Sequence, residues 1–133
     1  MRQRVHRHKF NWISGIHYSP KSSKPIRYKS KLEKLVCEYL DSSPKVHSYH
    51  YEAVKIPYIV AFQGKTFRKN YLPDFIIQFV DNNKEMWEIK PSRELANPIN
   101  ISKFRSGSAF CKKYGMEFRI ITESTISGLL RGV

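Results

Sequence analysis

Residues 71–91, YLPDFIIQFVDNNKEMWEIKP, constrain the fold more than any other stretch of this chain. Asp74 to Val80 and Glu85 to Lys90 are apolar-rich runs of strand length, and Asp81, Asn82 and Asn83 between them supply turn chemistry. Side chains alternate faces along a strand, so Glu88 and Lys90 project to one side. If the two strands pair as a hairpin, Asp74 near the start of one lies opposite Glu88 and Lys90 near the end of the other. That pairing gathers two carboxylates and an ammonium at one edge of a small sheet.

Two carboxylates held among Ile, Phe and Trp neighbours repel, and burial raises the cost. A hard divalent cation such as Mg²⁺ relieves the repulsion, because it accepts carboxylate oxygens and keeps several waters. The adjacent lysine can orient a water or neutralise charge developing on a phosphate. The plainer reading is a surface hairpin with solvated Asp81, Lys84, Glu85 and Lys90, in which Asp74 caps the turn after Pro73.

Charge narrows the partner. Against 11 acidic residues stand 24 Lys and Arg, a net +13, which points to a polyanion and most directly to nucleic acid. At 133 residues, 41% hydrophobic, the chain suits one domain with a single core. Cys37 and Cys111 lie in helical patterns with apolar neighbours and read as buried free thiols, neither a disulfide framework nor a zinc signature. No run reaches membrane-spanning length, MRQRVHRHKF lacks the apolar centre of a secretion signal, and no internal repeat is evident.

Residues 1–29 contain Arg2, Arg4, Arg7, Lys9, Lys21, Lys24, Arg27 and Lys29 and no acidic residue, with Phe10, Trp12, Ile13, Ile16 and Tyr18 interspersed. So many large apolar groups predict a basic arm that is partly ordered and binds phosphates, the plainer alternative being a solubilising tail. His6 and His8 have no acidic neighbour to complete a metal site. Residues 30–133 form the domain proper. Leu32, Leu35, Val36, Tyr39 and Leu40 predict a helix over 31–41, and Ser30 with Glu33 has capping-box spacing, so Glu33 is either a cap or a site residue at the rim of the buried face.

The pattern shifts to period two from Val46, and alternation from Val54 to Phe62, a turn at Gln63–Lys65 and a returning strand from Thr66 to Tyr71 predict a hairpin, with Pro57 marking an edge or a bulge. Glu52 reads as a solvated carboxylate at its entrance. A helix over 101–114 interrupted at Gly107 and capped by Gly115, a strand over 117–122 and a last helical segment over 124–130 complete the chain. The order predicts an α/β domain with a mixed, mostly antiparallel sheet flanked by helices.

With the Glu33 helix, the Asp74 strand and the Glu88-Ile89-Lys90 strand in that order, the chain resembles nucleases of the PD-(D/E)xK superfamily, whose core is restriction-endonuclease-like. YKSKLEKLVCEYL, VHSYHYEAVKIPY, GKTFRKNYLPDFII, WEIKP and YGMEFRIITESTI resemble two groups within it: the endonuclease subunit of heteromeric bacterial transposases and the head-completion nuclease of tailed phages. The resemblance implies metal ligation by Asp74 and Glu88, with the Ile89 carbonyl as an extra ligand and Glu33 contributing from the helix side, directly or through water. It makes Lys90 the catalytic lysine and leaves Glu52 at a supporting position of unassigned role. The transposase subunit commonly has Gln where Glu88 stands and carries a C-terminal partner-binding domain, which tilts the comparison towards the phage group.

The implied function is Mg²⁺-dependent hydrolysis of DNA phosphodiesters with low sequence specificity, Mn²⁺ substituting, in phage head completion after packaging. Arg2, Arg4, Arg7, Lys9, Arg68, Lys69, Arg93 and Lys103 would grip the backbone of double-stranded DNA without reading bases. Portal, terminase or capsid proteins are the implied partners, and the host cytoplasm or the virion the implied location, with no membrane role. The alternatives are a transposase-type DNA-end endonuclease working with transposase subunits and a non-catalytic, nuclease-like DNA-binding virion protein. An RNA-binding module lacks its usual pattern of exposed strand aromatics.

Overall fold

The hairpin within residues 71–91 is the middle of the sheet. The structure, a computed structural model, describes residues 13–132. Phe75–Phe79 (β6) and Lys84–Ile89 (β7) pair antiparallel with Phe75 opposite Trp87 and Gln78 opposite Lys84. The turn between them uses the expected residues: Asp81 Oδ1 accepts from the Asn83 amide at 3.0 Å, and Asn82 takes the left-handed conformation at φ 72°.

Val46–Tyr51 (β3) pairs antiparallel with β6, and Glu117–Ile121 (β8) lies parallel to β7, giving the order β3-β6-β7-β8. A parallel neighbour needs a long crossover, and the helix Pro98–Tyr114 (α2) supplies it. Lys31–Ser42 (α1) precedes the sheet, a 3-10 turn at Ser92–Glu94 follows β7, and Glu123–Leu130 (α3) closes the described chain. This is the expected α/β architecture with a restriction-endonuclease-like core.

Helices cover both faces of the sheet, so Met86, Trp87, Glu88 and Ile89 are buried in succession. On one face Tyr49, Phe75, Ile77, Trp87 and Ile89 pack with Val36, Cys37 and Leu40 of α1 and Ile126 of α3. On the other, Met86 and Cys111 of α2 meet Ile56, Tyr58 and Tyr71. The last three come from Ile56–Phe62 (β4) and Lys65–Tyr71 (β5), a separate two-stranded ribbon. Both cysteines are buried free thiols, as expected.

Several boundaries differ from the sequence reading. The first hairpin strand begins at Ile56 rather than Val54, and Pro57 sits opposite Asn70 in an unbroken register. A two-stranded ribbon leaves room for a missing donor, so no bulge is required. Gly15–His17 (β1) and Ile26–Tyr28 (β2), not anticipated as strands, form a small hairpin that buries Ile26 in the main core. His17, Ser19 and Tyr49 converge on Asp41, with His17 Nε2 2.6 Å and Tyr49 Oη 2.7 Å from its carboxylate, and tie this hairpin to α1.

The crossover helix begins at Pro98, three residues before the expected start, with Asn97 Oδ1 accepting from the Ile99 amide at 2.9 Å. It also runs unbroken through Gly107. That glycine lets the helix approach β8: a Cβ there would stand 2.6 Å from a ring carbon of Phe118. In an open helix Gly→Ala gains about 1 kcal/mol. Here Gly107→Ala is expected to lose about 1–3 kcal/mol by overpacking. Equilibrium urea unfolding measures it, and a stabilised variant would show that the helix can back away from Phe118.

Candidate active site at one end of the sheet

Continuing the β6–β7 register by one step sets Asp74 opposite Glu88, and both are buried. Asp74 Oδ2 accepts from the Ile89 amide at 2.7 Å. Glu88 Oε1 accepts from the Tyr71 hydroxyl at 2.6 Å, while Glu88 Oε2 lies 3.8 Å from Lys90 Nζ. Glu33 reaches the same end of the sheet from α1, where its Oε1 accepts from the Lys29 amide and the Tyr51 hydroxyl, both at 2.8 Å. Ser30 Oγ caps the Glu33 amide as expected, but the reciprocal bond goes to Lys29 rather than to Ser30.

Each carboxylate is thus held by the protein through one oxygen. Among the described residues no buried side-chain nitrogen or oxygen is left without a partner.

Electrostatics sets the character of the site. Burial drives the Asp74 carboxyl well above its ordinary range, the charges of Glu88 and Glu33 push it further, and the Ile89 amide and Lys90 only partly offset this. Burial likewise raises Glu88, against the opposing pull of the Tyr71 hydroxyl, Lys90 and Lys103. Burial and adjacent carboxylates push the Tyr71 and Tyr51 hydroxyls far up, which keeps them as proton donors to those carboxylates.

Among the described residues no group of three or more His, Cys, Asp and Glu is placed to hold a metal ion. The donors that do converge, two crowded carboxylates with charge to spare, suit a hard ion that retains waters and differ from the closed set of a structural zinc site.

The other predicted residues are spread more widely. Arg93 lines an open cleft of about 460 Å³ together with Lys29, Glu33, Ile89 and Lys90. Lys103, on α2, acts electrostatically on Glu88. Arg68 and Lys69 are exposed on β5, and as neighbours on a strand they face opposite sides of the ribbon. Arg2, Arg4, Arg7 and Lys9 lie outside the described residues, as do His6 and His8. Among the described residues no helix is long and apolar enough to cross a membrane.

Sequence reasoning missed Tyr51, Tyr71 and Lys29. A buried Tyr hydroxyl requires a partner, and that requirement beside the acidic positions was the available signal. Glu52 also gains a place. Its amide donates to the Asp74 carbonyl at 2.9 Å, its backbone is left-handed at φ 50°, and its carboxylate meets Lys29 Nζ at 2.7 Å. It joins the end of β3 to the entry of α1 beside the site.

Glu33→Gln separates capping from chemistry. Glutamine retains an Oε1 acceptor for the Lys29 amide and the Tyr51 hydroxyl, so stability should change by about 0.5 kcal/mol or less. DNA cleavage should fall at least roughly tenfold if the Glu33 charge takes part in proton handling. Unchanged cleavage would reduce Glu33 to a cap.

Residues 43–123, from the approach to β3 through the first residue of α3, match the family described as TnsA-like endonuclease N terminal. The chain belongs to that family. The matched span contains Asp74, Glu88 and Lys90, and Glu33 precedes it. The head completion nuclease of Enterobacteria phage T4 is 27% identical over 128 residues, with 80% of this chain and 84% of that protein covered. This member of the TnsA-like family therefore has a PD-(D/E)xK-like nuclease fold, related to TnsA-like endonucleases and to phage head completion nucleases.

Proposed function

We propose that this chain is a Mg²⁺-dependent endodeoxyribonuclease that hydrolyses phosphodiesters with low sequence specificity in phage head completion after DNA packaging. The observation that carries the reading is the juxtaposition of buried Asp74 and Glu88 with Lys90, at the end of the sheet that Glu33 also reaches.

Asp74 and Glu88 would hold the cation, with the Ile89 carbonyl as a further ligand and Glu33 contributing through water; Mn²⁺ would substitute. When bound, the ion supplies Lewis-acid stabilisation of charge on the phosphate oxygens. Tyr71 and the Ile89 amide orient the two carboxylates by fixing one oxygen of each. Lys90 orients the attacking water or neutralises charge on the phosphate as the phosphorus–oxygen bond to the leaving sugar breaks. Glu33 positions water from the helix side.

Arg68, Lys69, Arg93, Lys103 and the basic arm with Arg2, Arg4, Arg7 and Lys9 would bind the backbone of double-stranded DNA. Such contacts favour affinity over sequence readout. In this reading residues 1–29 are the arm and 30–133 the nuclease domain. The enzyme works in the host cytoplasm or in the virion beside portal, terminase or capsid proteins. The relation to the T4 head completion nuclease supports the phage setting. The match to the TnsA-like family favours a second reading, a DNA-end endonuclease that works with transposase subunits.

The test is incubation of the protein and its Asp74→Asn variant with linear, branched and supercoiled DNA in Mg²⁺ or Mn²⁺, with the new ends mapped. Cuts at many positions that vanish in the variant are expected. Cleavage at one short sequence, or equal cleavage by both proteins, would overturn the proposal.

A further inference from the structure

The β4–β5 ribbon is built unlike the rest of the chain. Among the described residues its strands pair only with each other, in unbroken register from Ile56 opposite Tyr71 to Phe62 opposite Lys65. Gln63 and Gly64, at φ 50° and 75°, form the tight turn that lets it extend. The base is anchored through Ile56, Tyr58 and Tyr71, with Val60 packed beside them, and every residue from Ala61 to Asn70 is exposed.

Large apolar groups lie on this exposed part: Phe62 is 61% and Phe67 45% accessible. The register puts Val60, Phe62 and Phe67 on one face. That face and the start of α2, at Pro98 and Ile99, enclose an open apolar groove of about 720 Å³. An exposed apolar surface of this kind marks a contact site.

Charge selects the occupant. Residues 53–71 contain Lys55, Lys65, Arg68 and Lys69 and no acidic residue. Lysines along a strand edge also discourage pairing with another protein strand. A basic ribbon with aromatic residues towards its tip instead suits DNA, where cations meet phosphates and aromatic faces receive bases. The ribbon is tied to the chemistry as well, since Tyr71 at its base bonds Glu88.

We infer that the β4–β5 ribbon is a substrate-selecting element: it lies along duplex DNA and takes an unstacked base against Phe62 and Phe67, in the groove facing the start of α2. The substrate is thereby duplex DNA that frays, branches or carries a flap beside the cut. This rests on the nuclease reading and adds a structural preference to it. From base to tip the ribbon spans six residue steps, roughly 20 Å, so the unstacked base lies within about six base pairs of the cut.

The test compares wild type with Phe62→Ala/Phe67→Ala in three assays. The first is binding, by fluorescence anisotropy in metal-free buffer, of a flapped and a fully paired duplex carrying 2-aminopurine at each of the six positions next to the junction in turn. The second is cleavage of both DNAs in Mn²⁺. The third is hydrolysis of bis(p-nitrophenyl) phosphate, which engages the metal site and no ribbon.

Wild type should bind and cut the flapped DNA at least tenfold better than the paired one, with a change in 2-aminopurine fluorescence at one position. The double variant should lose the preference and the fluorescence change while hydrolysing the small diester at the wild-type rate. A preference retained by the variant, or absent from wild type, overturns the inference. So does sedimentation showing a wild-type dimer that the double variant abolishes, which would make the ribbon a protein interface. If wild type hydrolyses neither DNA nor the small diester, the nuclease reading fails, and the binding and fluorescence arms still decide the ribbon.

Discussion

Asp74→Asn is expected to lower metal-dependent DNA cleavage by roughly a thousandfold or more, comparable with removing a principal electrostatic group elsewhere. The metal-free protein should nevertheless be no less stable than wild type near neutral pH. Asparagine keeps an oxygen that can accept from the Ile89 amide, now 2.7 Å from Asp74 Oδ2, and it removes the charge that Glu88 and Glu33 oppose.

The sign follows from linkage. Burial raises both Asp74 and Glu88 above their ordinary values of 3.8 and 4.5, and the charges of Glu88 and Glu33 raise Asp74 further. The folded state therefore binds protons more tightly than the unfolded one. The stability contributed by protonation is fully present below the ordinary values and is lost as pH rises through the raised ones. Wild type in EDTA should lose stability between mildly acidic and neutral pH, and Asp74→Asn should lose less.

Adding the ion reverses the order. A ligand at about 100 times its Kd stabilises by about 2.7 kcal/mol, so Mn²⁺ should raise the melting temperature of wild type and barely move the variant. Thermal melts with and without Mn²⁺ across that pH range check both halves. Equal Mn²⁺ effects in the two proteins would remove Asp74 from the metal site.

Lys90→Met should reduce cleavage by about 10²–10⁴-fold, the range for a positioned group that handles protons or charge in the transition state. Methionine keeps most of the half-buried stem and removes the ammonium that lies 3.8 Å from Glu88 Oε2. That ammonium holds the Glu88 carboxyl down, so without it Glu88 protonates at higher pH. The acid limb of Mn²⁺ binding should therefore move to higher pH, although binding at alkaline pH survives. Lys90→Arg should restore little, because a planar guanidinium does not present its charge where a compact ammonium does. Calorimetric Mn²⁺ titrations across pH, run beside cleavage assays, separate loss of the ion from loss of chemistry. Wild-type cleavage by Lys90→Met would exclude the lysine from the reaction.

The elements nearest the site were the most legible before the fold was known. Two apolar runs around an Asp-Asn-Asn turn point to one hairpin, and its register matters because a one-residue slip would exchange the Phe75, Ile77 and Trp87 face packed on α1 for the Ile76 and Met86 face packed on α2. The opposition of Asp74 to Glu88 follows from that register. The α1 helix was legible for a similar reason, its apolar stripe and Ser30 cap agreeing on one start. Gly107 misled, because intrinsic propensity marks a break where close packing on Phe118 selects a glycine.

Local pattern alone determined the three helices, the order of strands from β4 to β8, the β6–β7 pairing and the basic character of the chain. Tertiary structure decided which distant residues complete the site. Tyr71 on Glu88, Tyr51 and the Lys29 amide on Glu33, and Glu52 between Lys29 and the Asp74 carbonyl are contacts spanning 4 to 23 residues, all but one of them longer than ten. Sequence periodicity reports which face of an element is buried, but it carries no information about which elements meet at the end of a sheet. Only the packing of α1 and the ribbon against opposite faces of β6 and β7 brings those hydroxyls and amides to the carboxylates, where burial makes their hydrogen bonds necessary.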